Sequence, residues 1–346
     1  MHKLKIYVES QVSHVGQIIT GALMLKEQGY DVEIIDLQGK ESGPFPSSYP
    51  LVRAEYRGQR ILYDLWDGYN IYTDINRALS TCDFYFRRSY SLEKNRELIQ
   101  GYENKMYPLG LYFRVSHKDS PLREPRWKEF LKLLIGKAPL SYFVPEVFLG
   151  TPQEDTGRTP KILFMTQLWD DHIPDFSDAE NAERTYINQM RIDIIRALQQ
   201  RYPNTFVGGL NDCELSRTWA PDLIMPKKYT ERRQYLKLMH SSDICIGSMG
   251  LFESIGGKTG EYVAAAKAIV NERLHYTVTG DFEEGKNYLS FETVEQCLDA
   301  VQKLVENPQL RVNMMRANAA YYQNYLRPDV LVKNTLDLID KKLDSE

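Results

Sequence analysis

Both halves of the chain alternate short apolar runs, typical of buried strands, with longer amphipathic segments, typical of helices. In the first half, a strand at residues 4–8 precedes a helix that ends near Gly29 and a strand at residues 32–36. This order predicts a βαβ unit with parallel strands and a right-handed crossover. Further strands are expected at residues 60–65 and 83–87.

The second half repeats this order after a segment rich in proline and charge. Strands are predicted at residues 162–165, 205–207, 222–225, 244–246 and 268–271, with helices at 183–202, 230–241 and 259–267 and mostly helices after 294. We therefore predict an α/β fold with one doubly wound, Rossmann-like domain at residues 1–155 and another at 156–325. A last helix, 326–346, could pack back on the first domain.

Composition and charge limit the possible partners and compartment. A chain of 346 residues is expected to need two hydrophobic cores. The formal net charge of −4 offers no general field for a polyanion, so we expect no nucleic-acid partner. The 4 cysteines lie far apart and signal neither a disulfide framework nor a zinc site, which fits a reducing, cytoplasmic location. No apolar run is long enough to cross a bilayer. Peripheral contact with the inner face of a membrane stays open.

Residues 247–270 carry the most informative pattern, in which a strand leads through a glycine-bearing loop into a helix. Gly256 and Gly257 would let a ligand approach the backbone, and the free N–H groups at the helix start suit an anion such as a diphosphate. Lys258 and Thr259 stand at this helix start, where the lysine adds a positive charge. Glu261 in the first turn can accept two hydrogen bonds from vicinal hydroxyls, such as those of a ribose.

This segment resembles the donor-binding motif of the retaining GT-B glycosyltransferases, particularly the family-4/group-1 enzymes of bacterial polysaccharide synthesis. That motif has two glutamates separated by seven residues, with glycine three positions after the first glutamate. Glu253, Gly256 and Glu261 match it. The run EYVAAAKAIV from Glu261 is similar to the family's EYLAxGKPIV. The resemblance covers residues 161 to about 324, whereas the first half matches only in its order of elements.

The resemblance implies two Rossmann-like domains facing across a cleft, with the acceptor bound by the first domain and the nucleotide-sugar donor by the second. The expected activity is that of a glycosyltransferase (EC 2.4). It would move a sugar to a hydroxyl of a glycan or lipid-linked acceptor, with retention of configuration, in bacterial surface polysaccharide synthesis. No metal and no other cofactor are expected. The donor sugar, nucleobase, acceptor, linkage and oligomeric state stay open.

Residue roles follow from the same resemblance. Glu261 would bind the ribose, while Gly256 and Gly257 would face the donor's sugar and phosphates. Glu253 would contact sugar hydroxyls, and Glu253 and His14 are the candidate catalytic residues. Lys228 and Tyr229 would lie near the nucleobase. The glycine loop near the N-terminus, with His14 and Gly16, would close against the diphosphate and the acceptor.

Two departures from the family pattern leave the charge of the diphosphate without its usual partners. The family places an arginine and a lysine just after the first strand of the second domain, but residues 166–171 contain neither. Arg191, Lys228 and Lys258 are the candidate substitutes, and Lys258 itself stands where the family has a proline. The alternatives are a non-catalytic nucleotide-sugar or glycan-binding protein and an enzyme like the nucleotide-sugar 2-epimerases. The cluster Asp170-Asp171-His172 is not expected to hold a metal, because adjacent side chains in a loop do not converge.

Overall fold

The computed structural model describes residues 2–38, 45–69, 75–99, 101–102, 104–123, 127–128 and 140–345. These residues form two α/β units, each built around one sheet with helices packed on it. The predicted fold class is confirmed.

The first unit contains a six-stranded sheet in the order β2-β1-β3-β4-β5-β6. Its strands are β1 (Leu4–Val8), β2 (Val32–Asp36), β3 (Leu51–Tyr56), β4 (Gln59–Asp64), β5 (Phe84–Arg87) and β6 (Met106–Pro108). Its helices are α1 (Gly16–Glu27), α2 (Ile75–Ser80) and α3 (Leu92–Leu98). Strand β3 runs antiparallel to both β1 and β4, whereas the other pairs are parallel. The predicted parallel pair at the N-terminus is therefore β1 with β2. The predicted strand at residues 60–65 is β4, whereas β3, which forms a hairpin with it, is an element that the sequence analysis missed.

The second unit contains a five-stranded parallel sheet in the order β11-β10-β9-β7-β8. Its strands are β7 (Ile162–Thr166), β8 (Phe206–Leu210), β9 (Ile244–Gly247), β10 (Ala268–Glu272) and β11 (Leu289–Phe291). Its helices are α4 (Asp178–Arg201), α5 (Glu214–Trp219), α6 (Lys227–Thr230), α7 (Arg232–Ser241), α8 (Gly257–Ala264), α9 (Val294–Glu306) and α10 (Pro308–Tyr321). Ser177 begins α4 with a capping box, since its hydroxyl accepts from the Glu180 N–H and Glu180 accepts from the Ser177 N–H.

The strand predicted at residues 222–225 is wrong. Pro221–Leu223 forms a single 3₁₀ turn there, and Ile224 makes only an isolated bridge with Leu210. The proline supplies no N–H for a strand ladder and its fixed φ favours the turn, so the chain reaches the sheet for one residue only.

The last helix, α11 (Pro328–Leu343), packs on α1 of the first unit. Leu331, Val332, Leu336 and Ile339 share the core of that unit with the buried face of α1. The hydroxyls of Tyr63 and Thr335 form a buried hydrogen bond of 2.8 Å. Burying this apolar face contributes about 25 cal/mol per Å² removed from water, so α11 is an integral part of the first unit.

Replacing Gly21 with alanine is expected to lower the free energy of unfolding by about 2 kcal/mol or more. A Cβ atom at Gly21 would lie under 3.0 Å from both the carbonyl oxygen of Pro328 and Cγ2 of Val332, so α1 and α11 would have to separate. Urea denaturation measures the change. Lys26→Ala, at an exposed position of the same helix, is the control and should change the value by less than about 0.5 kcal/mol. A Gly21→Ala protein as stable as the wild type would contradict the close packing.

The two units touch along a cleft. An Arg88 Nη donates to the carbonyl of Ile255 over 2.5 Å, and the N–H of Thr277 donates to the carbonyl of Tyr90 over 2.8 Å. Lys94 pairs with Glu253 across the same boundary. Within the described ranges, no helix combines the length and apolar character needed to span a membrane.

Candidate active site

A cavity of about 320 Å³ lies at the carboxyl ends of three neighbouring strands of the second sheet. Thr166 and Gln167 stand at the end of β7, Asn211 follows β8, and Gly247 and Ser248 end β9. The start of α8 forms another wall. Parallel α/β sheets bind their ligands at this edge, so the cavity is the candidate active site.

Glycines bring the start of α8 close to the first unit. A Cβ atom at Gly257 would be 3.3 Å from the ring of Tyr112, and one at Gly260 would lie under 3.0 Å from the Tyr112 carbonyl oxygen. A Cβ at Gly256 would be 3.0 Å from the carbonyl oxygen of Ser248. Gly256 and Gly257 both line the cavity. The N–H of Thr259 donates to the carbonyl of Gly256 over 3.0 Å, whereas the N–H groups of Gly257 and Lys258 precede the first hydrogen-bonded turn of the helix. The helix start can therefore donate to an anion.

Glu261 lines the cavity, although it is only 5% exposed. Its carboxylate is held in place by two neighbouring side chains. Arg232 donates to its two carboxylate oxygens over 2.9 and 3.3 Å, and the Tyr235 hydroxyl donates to one of them over 2.9 Å. The Arg232 guanidinium in turn packs on the rings of Phe143 and Phe148, at 4.6 and 5.0 Å from their centroids. Each carboxylate oxygen can accept more than one hydrogen bond, so the fixed carboxylate can still accept from hydroxyls of a ligand.

Arg191 also lines the cavity and lies on the inner side of α4, 5% exposed, rather than on the outer face. Its guanidinium donates to the carbonyls of Gln167 and Met249, over 2.6 and 2.8 Å, and to the Ser248 hydroxyl. Burial lowers the pKa of Arg191 to about 10. The negative charge of Glu272 nearby partly offsets this fall in pKa, so Arg191 is a cation at neutral pH, although it forms no ion pair with a carboxylate in the described part of the chain.

Lys258 lines the cavity next to Gly257, and its ammonium group donates to the carbonyl of Met165. Removal from water, together with the charges of Arg191 and Arg232 and opposed by that of Glu261, lowers its pKa to about 8. The described residues offer it no ion pair. An anion in the cavity would favour the charged form, because an opposite charge nearby raises the pKa of a lysine.

The hydroxyl of Thr259 donates to Oδ1 of Asn271 over 2.8 Å, so it ties α8 to β10 although the residue lines the cavity. Lys228 and Tyr229 are in α6 and do not line the cavity. Lys228 is exposed, with its ammonium 4.9 Å from the centroid of the Tyr229 ring. Their contact with a nucleobase stays a prediction.

Glu253 does not line the cavity. Its carboxylate pairs with Lys94 of the first unit, and Nδ1 of His275 lies 3.9 Å away. Phe252 and Glu253 both have left-handed backbone, with φ of 57° and 58°, which is uncommon for residues other than glycine. The predicted contact of Glu253 with sugar hydroxyls stays a prediction, and in this structure its carboxylate joins the two units instead.

His14 lies in the first unit, in the 3₁₀ turn Ser13–Val15, with its ring stacked on Tyr112 at 5.2 Å between centroids. Burial, aided by the charge of Arg88, lowers its pKa, so it is neutral at pH 7. It lines a second cavity of about 220 Å³ together with Trp66, Asp67 and Phe252, among others. Gly16 lines neither cavity: a Cβ there would be 2.5 Å from the carbonyl oxygen of Val115, so this glycine serves the packing of α1.

Tyr112 and Arg114 close the main cavity from the first unit, and Trp169 and Asn211 line it in the second. The sequence analysis assigned none of these four a place in the site. Trp169 and Asn211 lie just after strands of the second sheet, which is a signal that could have indicated them. Tyr112 and Arg114 belong to a segment without regular secondary structure, and only the packing of the two units brings them to the cavity.

Among the described residues, one group, Glu27, His117 and Asp119, has possible metal-ligand atoms that all lie within 4.8 Å of one another. Lys118 already pairs with Glu27 at 2.8 Å there, and none of these residues lines the main cavity. In the cluster at 170–172, Asp171 is buried and accepts from the Thr185 hydroxyl over 3.0 Å, whereas the His172 side chain is 89% exposed. Nε2 of His172 lies 4.0 Å from Oδ1 of Asp171.

No protein-family model matches the chain, and no curated protein matches it. Among solved structures it is similar to Alr3699/HepE of Anabaena in complex with UDP and glucose, with 10% identity and a TM-score of 0.47 over 96% of this chain and 98% of that one. WaaG, a glycosyltransferase involved in lipopolysaccharide biosynthesis, gives 11% identity and a TM-score of 0.40, over 92% and 94% of the two chains.

The pneumococcal O-GlcNAc transferase GtfA, in complex with UDP and GlcNAc, gives 12% identity and a TM-score of 0.41 over 80% of this chain. The chain spans 49% of that protein, about half its length. These likenesses are too distant to assign a function, which has to rest on the chemistry of the cavity.

Proposed function

We propose that this protein is a glycosyltransferase of the GT-B type, which binds a nucleoside-diphosphate sugar in the main cavity and transfers the sugar to an acceptor hydroxyl. One observation carries the proposal: a fixed carboxylate, Glu261, shares the cavity with two cations, Arg191 and Lys258, that form no ion pair among the described residues. Carboxylates suit vicinal hydroxyls, and unpaired cations suit phosphates. A nucleoside diphosphate presents both groups in one molecule.

The spacing on α8 supports this arrangement. Lys258 and Glu261 are three residues apart in a helix, so they lie on the same face, with about 5–6 Å between their Cβ atoms. Lys258 stands at the N-terminal end of α8, where the free backbone N–H groups of the helix also lie. A ligand could therefore place its ribose at Glu261 while its phosphates meet Lys258 and Arg191.

The chemistry follows from where charge develops during transfer. As the bond between the sugar and the diphosphate breaks, negative charge accumulates on the leaving diphosphate. Lys258 and Arg191 line the cavity beside the start of α8, and their hydrogen bonds to backbone carbonyls hold them there, so they would stabilise that charge with little reorganisation. These groups supply the positive charge that the reaction needs, so the proposal includes no metal and no cofactor.

The acceptor side of the proposal lies in the first unit. The second cavity, with the neutral His14, Trp66 and Asp67, offers hydrogen-bonding groups beside an aromatic surface, which fits a glycan or lipid-linked hydroxyl. Retention of configuration, a role in bacterial surface polysaccharide synthesis, and a cytoplasmic location at the inner face of the membrane complete the proposal. They rest on the motif around Glu253 and Glu261.

A non-catalytic nucleotide-sugar or glycan-binding protein is a second candidate, favoured by one observation: Glu253 is held by Lys94 outside the cavity. The 2-epimerase-like alternative is disfavoured, because the described lining contains a single acidic residue, Glu261, and no histidine.

Turnover of nucleotide sugars distinguishes these candidates. UDP-, GDP-, dTDP- and CMP-linked sugars are incubated with the protein, with and without simple glycan acceptors, and the released nucleotide and the sugar products are quantified. The proposal predicts release of a nucleoside diphosphate from one donor class, lost in Arg191→Met. Affinity without turnover would favour the binding protein, and an epimerised nucleotide sugar formed without acceptor would favour the epimerase.

Diphosphate affinity is expected to fall as the pH rises through about 8. The pKa of Lys258 is lowered to about 8 in the free protein, so the lysine loses its charge at higher pH, when binding would have to restore a proton. Above pH 7 the charge of a terminal phosphate changes little, because its last pKa is near 6. Calorimetry from pH 7 to 9.5 measures the slope. The control is Lys258→Met, whose affinity should be weak and flat across this range; an equally steep slope in that variant would contradict the assignment.

A further inference from the structure

Arg114 closes the main cavity from the side of the first unit. Its guanidinium carbon lies 4.4 Å from the centroid of the Phe143 ring, a contact that orients the planar group. Within the described ranges it forms no hydrogen bond and no ion pair, although its side chain borders a cavity that contains a carboxylate. A partly exposed arginine in such a position is available to a ligand.

The charges around the cavity are unbalanced. Its described lining contains three cations, Arg114, Arg191 and Lys258, and one acidic residue, Glu261. The carboxylate of Glu261 is already paired with Arg232, which lies outside this lining. Three positive charges therefore border the cavity without an ion pair to any described residue, and they come from three separate parts of the chain.

We propose that Arg114 is a further donor-binding residue, which contacts the diphosphate from the side of the cleft opposite Lys258 and Arg191. A contact with the second phosphate would make Arg114 contribute more to the affinity for nucleoside diphosphates, the donor class already proposed, than to that for nucleoside monophosphates. This inference rests on the proposed function and adds one residue to it.

A diphosphate bound by Arg114 would link parts of the chain on both sides of the cleft. Lys258 and Arg191 belong to helices of the second unit, whereas Arg114 lies in the segment that follows β6 of the first unit, so a diphosphate held by all three would join this segment to the second unit. Tyr112, two residues earlier, packs against Gly257 and stacks with His14. Donor binding through Arg114 would thus hold the acceptor side of the first unit against the donor, which helps to exclude water from the reacting groups.

Calorimetry on the full chain tests the inference with inorganic pyrophosphate, which does not depend on the nucleobase, and with UDP, GDP, dTDP and their monophosphates. The variants are Arg114→Met and Arg114→Lys. Arg60→Met, at an exposed arginine of the same unit that lines neither cavity, is the control. We expect Arg114→Met to weaken pyrophosphate and the preferred diphosphate by about tenfold to a hundredfold, as for loss of a charged hydrogen-bond partner.

The monophosphate should lose less than about threefold in Arg114→Met, and Arg114→Lys should keep part of the diphosphate affinity. Arg114→Met affinities within twofold of the wild type, or a wild type that prefers monophosphates, would overturn the inference. So would a wild type that binds neither pyrophosphate nor any nucleotide. If Arg114 proves irrelevant while nucleotide sugars are turned over, only the inference fails. If pyrophosphate affinity depends on Arg114 but no nucleotide sugar is used, the proposed function fails and the anion site stands.

Discussion

Replacing Glu261 with glutamine is expected to weaken binding of the preferred nucleoside diphosphate by about 30- to 100-fold. The carboxylate would lose its charge and one of its acceptor oxygens, and each hydrogen bond between a charged group and a ligand hydroxyl contributes roughly 1.5–3 kcal/mol. Calorimetry measures the affinity. A thermal unfolding scan accompanies it, because the change also leaves Arg232 without its ionic partner.

The ribose contact can be separated from a general structural effect by comparing ligands. Wild-type protein should prefer a ribonucleoside diphosphate to its 2′-deoxy form by about tenfold, and Glu261→Gln should remove most of that preference, as in a double-mutant cycle. Glu214→Gln is the control, since Glu214 is likewise an acidic residue of a helix but is exposed and outside the cavity. Equal losses for both ligands in Glu261→Gln would contradict a contact with the 2′-hydroxyl.

Replacing Lys258 with methionine is expected to change stability and activity in opposite directions. Desolvation lowers the lysine pKa from 10.5 to about 8, so its charged form is disfavoured in the folded state. Between these two pKa values the unfolded chain binds more protons, so wild-type stability rises with pH from about 8 to 10.5 and the penalty is fully present at pH 7. The full shift corresponds to roughly 3 kcal/mol, and partial exposure reduces it to about 2 kcal/mol.

Lys258→Met should therefore raise the free energy of unfolding at pH 7 by about 2 kcal/mol, measured by urea denaturation. Turnover should fall by about a hundredfold to a thousandfold, as when one preorganised donor is removed from the site of a developing negative charge. Lys303→Met, at an exposed lysine of α9, should alter neither quantity. A Lys258→Met protein that is less stable and fully active would show that the lysine supports the fold and not the reaction.

The sequence indicated the two sheets because buried strands and amphipathic helices have different hydrophobic periods. It did not indicate strand β3, although residues 51–56 are largely buried, because the Arg57-Gly58 turn lacks the usual Asn-Gly or Asp-Gly signal. Proline accounts for the failed strand at 222–225. Local pattern thus predicted elements with a regular period and missed those decided by a turn or by pairing with a distant strand.

For the site, local pattern indicated the residues of α8 that line the cavity, because a strand, a glycine loop and a helix start are adjacent in sequence. Arg191 could only be suggested, since its inward orientation depends on how α4 packs. Arg232 and Tyr235, which fix Glu261 from 29 and 26 residues away, and Arg114 from the other unit are set by tertiary packing. The pattern of a single sequence does not indicate which residues far apart in the chain come into contact.

The central claim is that the main cavity binds a nucleoside diphosphate, and titration of the wild-type protein with UDP, GDP, dTDP and CMP at pH 7 tests it most directly. We predict that one diphosphate binds with a dissociation constant in the range of about 1 µM to 1 mM that is typical of enzyme substrates, and that pyrophosphate competes with it. CMP should bind more weakly. Failure of all four nucleotides to bind at concentrations of about 1 mM would contradict the account.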